Sequence, residues 1–82
     1  MKLVVVTPEQ TYTVDGIDSI SIPGSAGRFE VLQGHAPLIS TMVKGAVNYR
    51  LGSEEKEITV SGGVVKVEND EVSLIVENVE KL

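Results

Sequence analysis

Apolar residues recur at every second position through most of this chain, in short runs cut off by glycine and proline. The period holds at Ile20 and Ile22, at Val47, Tyr49 and Leu51, at Ile58 and Val60, at Val65 and Val67, and at Val72, Leu74 and Val76. Successive side chains point to opposite faces of a strand, so this spacing turns one row toward a core and leaves the other in water. A helix would instead require apolar residues at i, i+3, i+4 and i+7, and no stretch shows that spacing without fitting alternation better. The fourteen Val, six Ile and five Thr are β-branched, stiff at χ1 and better accommodated on a pleated sheet than in a helix. The pattern predicts an all-β fold.

Punctuation falls at Gly16, Pro23-Gly24, Gly27, Gly34, Gly45, Gly52, Gly62-Gly63 and Asn69-Asp70. Short strands at such spacing indicate a sandwich or a barrel. The clearest hairpin pairs residues 64–68 with 72–76 across Asn69-Asp70, because Asn and Asp tolerate the positive φ that a tight hairpin turn demands. Gly24 after Pro23 has the order of a type II turn. Pro37 cannot donate to a ladder, which places it at a strand start or sheet edge, and it pushes Ala36 toward an extended backbone. The opening Leu3-Val4-Val5-Val6 reads as a buried strand. Between Leu38 and Val43 both rows are candidates for the inside: Leu38, Ser40 and Met42 form one, Ile39, Thr41 and Val43 the other. The segment from Asn78 to Leu82 is expected to fray as a terminus.

Eighty-two residues suffice for one domain, residues 1–82, and for no second core. Hydrophobic residues at 41% against 23% charged describe a chain that folds rather than a disordered one. A net charge of -5 argues against DNA or RNA as a partner, since nucleic-acid binding leaves a basic footprint. The acids of the last third are interleaved with apolar residues, as on the solvated faces of strands. Without Cys there is no disulfide staple, no thiolate nucleophile and no Cys-type zinc site, and a reducing compartment is allowed. The apolar opening stops at Thr7-Pro8-Glu9, too early for a signal peptide, and nothing approaches the roughly 18 apolar residues of a membrane span. Any membrane association must come through a partner.

Residues for chemistry are sparse. His35 is the single histidine, it has no Cys to activate, and a Ser-His-Asp set would have to be chosen from dispersed serines and acids. A role as ligand or base competes with that of a hydrogen-bonded histidine at a bend. One His, no Cys and no calcium-loop run of carboxylates supply no metal site. Gly24-Ser25-Ala26-Gly27 lacks the Lys-Ser/Thr of a phosphate loop and the helix that follows one, and reads as a turn. Lys44 before Gly45 is the candidate for a modified lysine, as in an acidic all-β carrier of the lipoyl or biotinyl type with Lys at a hairpin tip. The Met-Lys-Met flanks of a biotin site are missing, and an exposed Lys in a turn is ordinarily a solvated charge.

Taken together, several of these segments point to a family. Thr7-Pro8-Glu9, Gly24-Ser25-Ala26-Gly27-Arg28-Phe29-Glu30-Val31-Leu32, Gly34-His35-Ala36-Pro37-Leu38, Lys44-Gly45-Ala46-Val47 and Ser61-Gly62-Gly63 follow one another in its order and spacing. From about Leu3 to Val79 the chain resembles the epsilon subunit of F-type ATP synthases, specifically its N-terminal β-sandwich. Gly-His-Ala-Pro-Leu is the most specific of the shared elements.

The resemblance implies a flattened ten-stranded β-sandwich at the foot of the rotor, bound to the gamma subunit and resting on the c-ring. Its work would be to lock gamma to the ring, so that rotation driven by protons or sodium ions reaches catalytic sites on other chains. No enzymatic activity and no cofactor are implied for the chain itself. The implied location is peripheral, on the cytoplasmic face of the bacterial inner membrane, touching the membrane only indirectly through the c-ring. Carried over residue by residue, Arg28 and Phe29 would approach the polar loops of the c-ring, and His35, Leu38, Ser40 and Thr41 would lie near the gamma-facing side. The chain departs from the family's pattern where Arg28 replaces a common acid and where Gln33 replaces a common proline. Family members usually continue as a two-helix hairpin that can inhibit ATP hydrolysis. After Val79 only Glu80, Lys81 and Leu82 remain, so no hairpin-mediated inhibition is expected.

Overall fold

Each alternating run becomes a strand. In the computed structural model, which describes residues 1–80, the strands are β1 (Lys2–Val6), β2 (Thr11–Val14), β3 (Ser19–Gly24), β4 (Gly27–Leu32), β5 (Leu38–Met42), β6 (Gly45–Leu51), β7 (Glu54–Val60), β8 (Gly63–Glu68), β9 (Glu71–Ile75) and β10 (Val79–Glu80). No helix occurs among the described residues. The strands form one sheet in the order β10-β7-β6-β3-β5-β8-β9-β1-β2, with β4 paired to β3 off this path. The sheet curls until its inner rows meet, giving a flattened body of 26 × 24 × 19 Å. Leu3, Val5, Ile17, Ile20, Ile22, Val31, Val47, Ile58, Val60, Val65, Val67, Val72 and Leu74 fill the interior, and no polar or charged residue is buried among the described residues. The period-two pattern therefore picked out the core row of β3, β6, β7, β8 and β9.

The turns follow the local chemistry, with one shift. Asn69 and Asp70 take φ values of 52° and 59°, the paired positive φ of a type I′ turn. Glu68 stands opposite Glu71, so the second arm of that hairpin starts one residue earlier than the spacing predicts. Val76 is then free of β9 and donates its N–H to the Val6 carbonyl at 2.9 Å. The expected type II turn at Pro23-Gly24 is not there. β3 runs through both residues, Gly24 pairs with Gly27, and Ser25-Ala26 is the loop. Gly24 is needed for closeness instead: a Cβ at that position would lie 2.8 Å from Cε1 of Phe29 and 2.7 Å from the Gly27 carbonyl oxygen.

Register settles what periodicity could not. β1 lies between β2, antiparallel, and β9, parallel, with Val5 opposite both Tyr12 and Leu74. Leu3 and Val5 are buried while Val4 and Val6 are half-exposed on the other face, so β1 is a one-sided strand and not a fully buried one. Pro37 immediately precedes β5, as its missing N–H requires. The segment expected to fray is tied down as far as Glu80: Val79 and Glu80 pair with Val60 and Thr59, and the Asn78 N–H donates to Ser61 Oγ at 3.1 Å. Lys81 and Leu82 lie outside the described residues.

Candidate functional site

The Gly-His-Ala-Pro-Leu loop is held from outside itself. Asp70, at the β8–β9 turn, accepts the Gly34 N–H on Oδ1 at 2.7 Å, while its own carbonyl accepts the Lys2 N–H at 3.0 Å. The left-handed backbone of Asp70 places that carboxylate beside a loop 36 residues away in sequence. His35 donates its backbone N–H to Leu32 at 3.1 Å, and its Nδ1 lies 2.7 Å from the Ala36 carbonyl. A carbonyl only accepts, so Nδ1 carries the proton. The imidazole thus braces the bend that Pro37 stiffens.

The residues after the bend alternate. Leu38 is half-buried and packs on the core, Ser40 is half-buried and donates Oγ–H to the Thr41 carbonyl at 3.2 Å, and Met42 is buried. Ile39, Thr41 and Val43 face out, Ile39 with 73% of its surface exposed. His35, Leu38, Ser40 and Thr41 therefore do not share one face. Of the four, Thr41 stands on the outer side of β5, next to Ile39.

That outer side continues as an apolar surface. Thr41 pairs with Val64, Val64 with Ile75, and Ile75 with Val6, while one step along Ile39 pairs with Lys66 and Ser73 with Val4. Ile39, Val64 and Ile75 are all exposed. Lys66 sits among them with Nζ 3.5 Å from Glu68. Exposed apolar side chains on four neighbouring strands, interrupted by Thr41, Lys66 and Ser73, make this face a candidate interaction surface. Its signal was present in the sequence: Val64-Val65 and Leu74-Ile75-Val76 are apolar on both rows, where a strand facing only the core would be polar on one.

The β3–β4 hairpin projects separately. Ser25, Ala26 and Gly27 are exposed at its tip. The Ser25 N–H donates to the Thr41 carbonyl at 3.0 Å, Thr41 Oγ1–H donates to Ser25 Oγ at 2.7 Å, and the Val43 N–H donates to the Pro23 carbonyl at 2.9 Å. Phe29 is half-buried with its ring against Gly24. Arg28 folds back over the sheet, donating from Nη1 to Ser21 Oγ at 2.9 Å and from Nη2 to the Ala46 carbonyl at 2.7 Å. Arg28 is exposed but held against the sheet by these two bonds, and Ser25, Ala26 and Gly27 stand clear at the tip.

Lys44 is exposed between β5 and β6. Those strands are not neighbours, because β3 lies between them in the sheet, so Lys44 is on a crossover and not at the hairpin tip a carrier lysine requires. No group of three His, Cys, Asp or Glu side chains comes together as a metal set among the described residues.

The chain is thus a curled all-strand module whose distinguishing surfaces are one face bearing exposed apolar side chains and one tethered hairpin tip. The sequence matches the family described as the delta/epsilon chain β-sandwich domain of ATP synthase over residues 1–82, and the chain belongs to that family. It is 41% identical over 80 residues to ATP synthase epsilon chain 1 of Syntrophotalea carbinolica, a match that covers 98% of this chain and 58% of the relative. With the ATP synthase epsilon chain of Prochloron didemni it shares 36% over 80 residues, covering 98% and 59%. The chain thus spans less than two thirds of the curated relatives it matches. Among solved structures the fold is similar to a chain of the Euglena gracilis mitochondrial ATP synthase OSCP/F1/c-ring assembly, with a TM-score of 0.85 at 19% identity over 94% of this chain and 50% of that one. A chain of the Tetrahymena thermophila mitochondrial ATP synthase central stalk and c-ring gives a TM-score of 0.81 at 20% identity, covering 96% and 64%. The expected ten-stranded epsilon-type β-sandwich is the fold found.

Proposed function

We propose that the chain is a rotor-side coupling module of an F-type ATP synthase, binding the gamma subunit through the outer face of β5, β8, β9 and β1 and meeting the c-ring with the tip of the β3–β4 hairpin. One observation carries this reading: a member of the delta/epsilon family leaves Ile39, Val64 and Ile75 exposed on one outer face of neighbouring strands, uncovered by folding. Size supports two partners. A standard interface takes about 800 Å² from each side, roughly a sixth of the 4709 Å² this chain presents. One structural neighbour comes from a central stalk and c-ring assembly, the other from an OSCP/F1/c-ring assembly.

The module's role is mechanical. It joins a rotating shaft to a ring, and catalysis belongs to other chains. No helix among the described residues is long and apolar enough to cross a membrane, and the reading gives the chain a peripheral place on the cytoplasmic face, reached through the c-ring. The test is co-expression with its cognate gamma subunit and affinity purification under conditions where the catalytic head assembles. A stable complex that survives gel filtration is the expected result. Gamma and head assembling without the chain would overturn the proposal.

A further inference from the structure

Pro23 creates a vacancy in the hydrogen bonding of the sheet. β3 and β6 pair Ser19 with Arg50 and Ser21 with Asn48, and the next pair in that register is Pro23 with Ala46. The Asp18 N–H donates to the Arg50 carbonyl at 2.9 Å, so the even-numbered carbonyls of β6 face β3. Asn48 is met by a residue with an amide hydrogen. Ala46 is met by proline, which has none. The Pro23 carbonyl is also diverted, accepting the Val43 N–H at 2.9 Å. At this point the ladder would leave the Ala46 oxygen without a strand donor.

Arg28 supplies one. It sits opposite Pro23 on β4, and its side chain crosses over the proline to place Nη2 2.7 Å from the Ala46 oxygen and Nη1 2.9 Å from Ser21 Oγ. Pro23 is buried although it lies on the outward row of β3, because Arg28 passes above it and Gly45 packs on its ring, where a Cβ would come within 3.2 Å. A guanidinium is a planar fork with several donors, which a lysine cannot reproduce at two acceptors on different strands.

We infer that Arg28 is a positioning residue, a side-chain replacement for the amide that Pro23 lacks, which clasps β4 to β6 across β3 and fixes the angle of the Ser25-Ala26 tip. The inference rests on the reading of that tip as the ring-facing contact. It removes Arg28 from the role of a charge offered to the c-ring and makes it act through the hairpin.

The test is a double-substitution cycle in this chain, using Arg28→Met, which keeps an aliphatic stem over Pro23 but no donor, and Pro23→Ala, which returns an N–H to the strand. Two readouts are taken: amide exchange at Ser25 and Val43, and binding to purified c-ring in detergent. Arg28→Met is expected to speed exchange at both amides about tenfold, the scale of one lost hydrogen bond, and to weaken ring binding in parallel. In the Pro23→Ala background the same substitution is expected to lose most of both effects. Arg28→Lys, which keeps the charge, is expected to resemble Arg28→Met more than the parent. Equal exchange effects of Arg28→Met in both backgrounds would overturn the clasp. Coupled exchange with ring binding unchanged in every variant would overturn the ring-facing reading, and the positioning role with it, while leaving the Pro23–Arg28 coupling established. Ring binding retained in Arg28→Lys but lost in Arg28→Met would restore the charge contact and also overturn the inference.

Discussion

Leu38 and Ile39 are adjacent, equally apolar and turned to opposite sides of β5, so truncating each to alanine separates stability from binding. Ile39 has 73% of its surface exposed and supports nothing in the core. Ile39→Ala is expected to change unfolding free energy by less than about 0.5 kcal/mol. In a complex that covers the outer face, the same truncation removes three carbons at about 0.8 kcal/mol each, scaled by the 73% left for a partner to bury, or about 1.7 kcal/mol. That corresponds to a rise in Kd for gamma of roughly fifteen- to twentyfold. Leu38 is half-buried against the core. Leu38→Ala is expected to cost about 1–3 kcal/mol of stability, below the range for fully buried leucines, with the affinity of the folded fraction nearly unchanged. Urea unfolding followed by circular dichroism gives the first quantity, and calorimetric titration with gamma the second. An Ile39→Ala protein that folds normally and binds gamma with parental affinity would refute the assignment of this face.

Three further expectations follow from local geometry. Gly63 has φ of 139°, and a Cβ there would collide with the Ile75 carbonyl, so Gly63→Ala is expected to lower stability by more than about 2 kcal/mol; an unchanged urea midpoint would mean the two strands do not approach so closely. Asp70→Ala removes the acceptor for the exposed Gly34 N–H and is expected to cost about 0.5–1.5 kcal/mol and to raise hydrogen exchange at Gly34 above that of neighbouring loop amides; equal exchange in mutant and parent would show that the carboxylate does not hold the loop. The ion pair of Arg50 with Glu55, 3.7 Å apart with both side chains more than half exposed, is expected to contribute less than about 0.5 kcal/mol, checked by the thermal midpoint of Glu55→Gln at low and high salt.

Fold class and most core residues were legible because burial on one face of a strand leaves a direct mark, an apolar residue at every second position. The same rule failed at β5, where Leu38-Ile39 and Met42-Val43 put apolar side chains on both rows and nothing local says which row faces in. The choice is made by β8, whose Val65 and Val67 stand opposite Ser40 and Leu38 and are themselves buried. Pairing partners were not legible either. β1 meets β9 in parallel across nearly the whole chain, and no residue at either strand announces it. The misplaced turn at Pro23-Gly24 has a similar cause: the local preference for a type II turn was outweighed by packing, since Gly24 is occupied with admitting Phe29. Arg28 was visible as a charge but not as a donor to Ala46, which depends on three strands coming together.

The proposed gamma-facing and ring-facing elements lie on opposite sides of a weak place in the sheet. β6 and β7 pair from Gly45–Val60 to Leu51–Glu54, and β5 and β8 from Leu38–Val67 to Met42–Gly63, but β3 and β5 share only the pair Gly24–Met42. Any torque between an outer face carried by β5, β8, β9 and β1 and a tip carried by β3 and β4 crosses this junction. One ladder pair is a poor torsional joint, since rotation about it breaks little. The structure reinforces it with bonds outside the ladder: Ser25 N–H to the Thr41 carbonyl, Thr41 Oγ1–H to Ser25 Oγ, and Val43 N–H to the Pro23 carbonyl on the β5 side, with Arg28 to Ser21 and Ala46 on the β6 side. The three bonds to the β5 side cross the junction itself, and those of Arg28 hold β4 and β3 to β6 behind it, so the tip cannot pivot on β5 without breaking several bonds together. In a coupling element, stiffness at the joint between its two contacts matters more than total stability, and the polar groups of Ser25, Thr41 and Arg28 are spent around that joint while no polar or charged residue is buried among the described residues.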